Sequence, residues 1–162
     1  MDDATVAELR TLVRSQPVAA LGTLHATRDG VEPFVSMVPV AWLTAPTPQA
    51  VIHVSTLAPH TRDLQQDPRV SLMLTAALGP DDNPQALARL SLQARARSLQ
   101  PGEAEWTQAK AVYLARFARA EQTFALGDFL LFALQPVSAR FVAGFGRAHG
   151  LSVNQLTTWL SA

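Results

Sequence analysis

The chain has 162 residues, 48% of them apolar and 16% charged, with thirteen basic side chains against thirteen acidic ones. That length suits one domain with a real core, and so few charges exclude extensive disorder and suggest a surface partly covered by a partner, as in an obligate dimer. A formal net charge of zero gives no field to draw the chain to nucleic acid, and the lack of cysteine excludes disulfides, thiolate chemistry and sulfur-held iron or zinc.

The start MDDATVAEL is acidic where a signal peptide would be basic, and no apolar run reaches about 18 residues. No membrane partner and a cytoplasmic location are the expectation. Asp3 or Thr5 is placed to cap a short helix running to Arg14, whose stripe is Val6, Leu9, Leu12 and Val13. Pro17 closes it. Residues 18–27 read as a strand, Arg28, Asp29 and Gly30 as a tight turn, and 31–42 as the antiparallel hairpin partner. Pro39 removes one ladder donor and so belongs at an edge, a bulge or a ligand-facing stretch.

Pro46 and Pro48 mark a loop before a short strand over 50–55. A short helix over 62–66 follows, stopped by Asp67 and Pro68, and then a strand over 70–77. After the loop of residues 79–84 a long strand over 86–99 sets Leu87, Arg89, Ser91 and Gln93 on one face and Ala88, Leu90, Leu92 and Ala94 on the other. Residues 104–116 form a helix, 129–136 and 138–145 two strands separated at the proline, and 153–160 a closing helix. With six or seven strands and no alternation of strand and long helix, the pattern predicts a mainly β protein, a small antiparallel barrel with peripheral helices. Residues 1–162 are expected to form one domain with its core over about 7–155.

Four histidines, His25, His53, His60 and His149, lack metal-ligand spacing, and neither a GxSxG elbow nor a GxGxxG or GxxxxGK[ST] loop occurs. The hydroxyls of Ser55 and Thr56, then His60, Thr61 and Arg62, gather at a strand-to-helix junction suited to a phosphate.

Four stretches carry a resemblance: GxxPFVSMVP over 30–39, STLAPHTRDLQQDPRVSLML over 55–74, ARLSLQARA over 88–96 and ARFVAGFGRA over 139–148. Together they resemble the FMN-binding split barrel of the pyridoxamine 5'-phosphate oxidase-like family, and within it the haem-utilisation branch with its "LAxHTxNL" and "GFGxA" signatures. The resemblance implies a homodimeric split β-barrel with two FMN sites built from both subunits. It places cofactor contacts on Ser36, Met37, Val38 and Pro39 of the second strand. His60 takes the phosphate-binding position with Thr61 and Arg62 beside it, and Ser55 and Thr56 lie on the approach. Arg89 matches a cofactor-touching position, addressing either the phosphate or the flavin pyrimidine side. Gly144, Phe145 and Arg147 fall at the pocket mouth or simply at a glycine-bent strand.

Ser36 stands approximately where the vitamin oxidases carry an arginine, and the lysine of their RxxLLK stretch is missing, which argues against pyridoxamine phosphate as substrate. The chain ends soon after GFG, short of the small C-terminal domain of many haem-utilisation relatives, so haem degradation is not the leading expectation either. That leading expectation is an FMN-binding flavoprotein, an oxidoreductase acting on a small-molecule substrate or electron donor without a protein nucleophile. The alternatives are a haem-binding or haem-handling protein, and a non-catalytic flavin binder.

Overall fold

In the computed structural model, which describes residues 1–161, the capping, the hydrophobic stripes and most strand positions follow the sequence pattern. Helix α1 (Asp3–Ser15) starts where the Asp2 carboxylate accepts the Thr5 amide, one residue before the expected cap, and it buries Val6, Leu9, Leu12 and Val13. The hairpin of β1 (Val18–Thr27) and β2 (Gly30–Pro39) turns through Gly30, whose φ of 137° favours a residue without Cβ. Strands β3 (Ala41–Leu43) and β4 (Gln49–Ser55), helix α2 (Pro59–Gln66), β5 (Arg69–Thr75) and β6 (Arg89–Leu99) follow. Then come α3 (Ala104–Arg116), the single turn α4 (Glu121–Phe124), β7 (Phe129–Val142), β8 (Ala148–Leu151) and α5 (Val153–Leu160). Ser152 and Gln155 close a capping box at the start of α5.

All eight strands join one antiparallel sheet in the order β2-β1-β5-β6-β7-β4-β3, with β8 added on β7. This corrects the expectation of a six- or seven-stranded closed split barrel of mainly β character: the hydrogen-bonded path is open, β2 and β3 are its ends, and helices make the fold mixed α/β. Closure would need a ladder between those ends. Pro33 and Pro39 give β2 no N–H at two positions, and the Val40 amide donates to the Pro17 carbonyl where the chain leaves β2. The expected strand over 31–42 is broken there, and β3 has only three residues.

Pro136 does not end a strand as its ring suggested. Residues 129–142 are one strand because Gln93 faces Ser138 and Ala94 faces Pro136, which leaves Val137 as a bulge residue beside a proline that has no ladder donor.

One face of the sheet carries the main core, with Leu21, Leu72, Leu90, Leu92 and Phe141 under α1, α2 and α5. A second cluster, including Val51, Leu131 and Tyr113, is covered by α3. Among the described residues no helix is long and apolar enough to cross a membrane.

Candidate functional site

Side chains alternate along each strand, so the residues that do not enter the main core share the opposite face. The register assembles that face strand by strand. Met37 lies opposite Ala20, Ala20 opposite Met73, Met73 opposite Ser91, and Ser91 opposite Arg140. In the adjacent row Arg89 lies opposite Thr75 on one side and Val142 on the other, and Val142 opposite Ala148. Six strands thus present one surface, apolar at the β2 end and cationic at the β6–β7 end.

Two clefts open on it. The first, of about 410 Å³, lies among β1, β2 and β5 and is walled by Val18, Val35, Ser36, Met37 and Met73. Val35 and Met37 are 68% and 65% exposed, and the Ser36 hydroxyl oxygen is buried with no hydrogen-bond partner in the protein. The second, of about 630 Å³, is lined by Arg89, Arg140, Val142, Phe145 and Ala148.

The β7–β8 turn shapes the second cleft. The Arg147 amide donates to the Gly144 carbonyl, and the Ala143 amide to the Arg147 carbonyl. Gly144 and Gly146 have φ of 142° and 76°, so the turn requires residues free to enter that region. The Arg147 guanidinium donates to the Ala143 carbonyl and to the Glu8 carboxylate, tying the turn to α1. Phe145 projects at the tip, 78% exposed. The Arg89 guanidinium donates to the carbonyls of Gln85 and Leu87 at 3.3 and 3.1 Å, which fix it without neutralising it. Among the described residues neither Arg89 nor Arg140 has a carboxylate partner.

The strand-to-helix junction is built differently from the phosphate cradle read in the sequence. Thr61 is fully buried and its hydroxyl donates to the Ser55 carbonyl at 2.6 Å, while the Ser55 hydroxyl accepts the Leu57 amide. Both hydroxyls therefore serve the chain's own turn. Thr56 and Arg62 are exposed and His60 is half-buried. Burial holds the His60 pKa below its ordinary value, with the Asp63 carboxylate pulling the other way.

Of the residues singled out in the sequence, Ser36, Met37 and Arg89 line the two clefts, Pro39 lies at the end of β2, and Val38 is in the core. The junction residues lie on the other side of the sheet, where α2 packs on β1. Arg140 was missed, although its alternation with Val142 in ARFVAGF puts a cation on the face that Arg89 occupies. Asp63 was missed as well: it is 1% exposed, accepts the Thr23 hydroxyl and meets His25 Nδ1.

No imidazole among the described residues reaches the open face. His149 lies opposite Phe141, in the core-facing row, and His25 shares its row with Thr23. His53 is buried beneath α3, stacked on Phe124 with ring centroids 3.7 Å apart.

A family model described as "CREG, beta-barrel" matches residues 1–158. The heme oxygenase HutZ of Vibrio cholerae is 32% identical over 108 residues, covering 66% of this chain and 61% of HutZ. The chloroplastic non-canonical heme oxygenase HOZ of Arabidopsis thaliana is 29% identical over 143 residues, covering 88% of this chain and 41% of its own. The chain therefore spans only part of the length of these curated relatives. Among solved structures, a heme binding protein from Mycobacterium smegmatis superposes with a TM-score of 0.82 at 30% identity, covering 98% of this chain and 62% of that one.

These matches correct the cofactor expectation. Relatives of this similarity are named for haem, so the reading of an FMN-binding flavoprotein and flavin oxidoreductase is withdrawn. The flavin reading rested on a hydroxyl-rich junction that resembles a phosphate loop in sequence, where Ser55 and Thr61 also bond to the chain's own turn.

Proposed function

This chain belongs to the CREG beta-barrel family and stands with the haem-utilisation branch of the split-barrel superfamily, and from that premise we propose that it binds and handles haem on the open face of its sheet. Haem is an apolar plate with two carboxylates at one edge, and it brings iron-centred redox chemistry to whatever holds it. The residues present fit that shape. Arg89 and Arg140, two cations without acidic partners at one cleft, suit the propionates, and Val142 and Phe145 beside them offer apolar contact to the ring. This unneutralised arginine pair is the single observation that carries the reading.

Met37 and Met73 flank Ala20 across β2, β1 and β5, and with Val35 they form an exposed apolar stripe continuous with the arginine end. A stripe of this kind suits a second copy, so the protein acts as a homodimer in which the partner's sheet covers the haem from the far side. The chain works as one domain.

Titration of the purified protein with haemin, followed by absorbance, is expected to give a saturable Soret band with defined stoichiometry. A spectrum identical to free haemin at all ratios would refute the reading.

A further inference from the structure

A cavity of about 350 Å³ lies between α1, α3, β3 and the end of α5, sharing no lining residue with the arginine cleft. Val13, Ala41, Val112 and Leu160 line its apolar wall, at the seam between the two core clusters. That volume falls in the range of small-molecule sites, about 300–1,000 Å³.

Its rim is cationic. Arg10 and Arg116 border it, and among the described residues no acidic side chain does. Arg10 Nε donates to the Trp159 carbonyl at 2.6 Å and an Arg116 Nη2 N–H to the Gln16 carbonyl at 2.6 Å. Each guanidinium is thereby held in place by a neutral acceptor, and among the described residues neither is paired with a carboxylate. Burial lowers the Arg116 pKa from its ordinary value, as expected for a cation whose desolvation no anion offsets. Trp42 forms part of the wall, and its indole N–H is buried with no acceptor.

We propose that this cavity is a binding site for an amphiphilic carboxylate, a medium-chain fatty acid whose apolar chain fills the space lined by Val13, Val112 and Leu160 while its carboxylate meets Arg10 and Arg116. Charge selects the anion and the apolar wall selects the chain, so neither a neutral alcohol nor a short acid satisfies both requirements. The site is separate from the haem face and does not depend on it.

The experiment is isothermal titration calorimetry of the full chain with decanoate, with decanol, acetate and inorganic phosphate as comparison probes. Decanoate is expected to bind saturably with one site per chain, and the other three at least tenfold more weakly. Arg10→Ala and Arg116→Ala are each expected to weaken decanoate at least tenfold, and Ala115→Phe, which narrows the mouth from an exposed position on α3, to abolish binding with the melting temperature preserved. If Arg116→Ala does not fold, Arg116→Lys and Ala115→Phe carry the test. Haemin titrations of Ala115→Phe are expected to match wild type, which separates failure here from failure of the haem reading. No saturable decanoate binding, equal binding of decanol, or unchanged binding by Ala115→Phe would overturn the proposal.

Discussion

The Asp63 carboxylate is shared between Thr23 and His25: it accepts the Thr23 hydroxyl at 2.7 Å and lies 2.8 Å from His25 Nδ1, while being 1% exposed itself. This one side chain of α2 thereby ties the helix to alternate residues of β1.

Replacing Asp63 by alanine leaves the buried Thr23 hydroxyl without its acceptor and opens space beneath α2. Each orphaned buried group costs on the order of 1–3 kcal/mol, so a total loss of about 2–4 kcal/mol is expected for Asp63→Ala. Asp63→Asn, which keeps an acceptor oxygen, should lose less. Urea unfolding followed by far-UV circular dichroism distinguishes them, and equal stability of all three proteins would show that the contact contributes nothing.

His53 makes folding sensitive to acid. Burial, reinforced by the nearby Lys110 charge, pushes its pKa down from 6.5 to about 4. Between those values the unfolded chain takes up a proton that the folded chain refuses, so stability is full above pH 6.5 and falls as pH drops towards 4. The loss approaches about 3 kcal/mol by linkage. His53→Gln, which retains a polar group near Thr123, is expected to flatten this part of the stability curve relative to wild type. Parallel curves for the two proteins across that range would exclude His53 as the source.

Gly144 has φ of 142°, and a Cβ there would lie 3.4 Å from Arg147 Nη2. Gly144→Ala should cost about 1–3 kcal/mol and loosen the β7–β8 turn that positions Phe145. The loosening is measurable as faster amide hydrogen exchange at Ala143 and Arg147, whose N–H groups close the turn. Unaltered exchange at both amides would count against a strained turn.

Much of this architecture was legible in local pattern. The stripe of α1, the bounds of β1, the full span of α3 and the alternation along β6 follow from periodicity that tertiary packing reinforces. Where local signals misled, a partner remote in sequence decided the outcome. Pro136 reads as a break, but its bulge depends on the register with Gln93 and Ala94, and sheet closure depends on whether β2 and β3 meet. For the site, Arg89 was singled out by the family resemblance, and alternation along β6 put it on one face with Ser91 and Gln93. Arg140 acquires meaning only once β6 and β7 are paired, and the bond of the Thr61 hydroxyl to the Ser55 carbonyl is seen only in the folded chain.

The most direct measurement of the central claim is haemin affinity of wild type against the double substitution Arg89→Ala and Arg140→Ala, by Soret titration at low and high salt. Losing two charge-assisted contacts of about 1.5–3 kcal/mol each should weaken haemin at least a hundredfold and reduce the salt dependence of binding, with folding preserved. Wild-type affinity in the doubly substituted protein would contradict a haem held by this arginine pair.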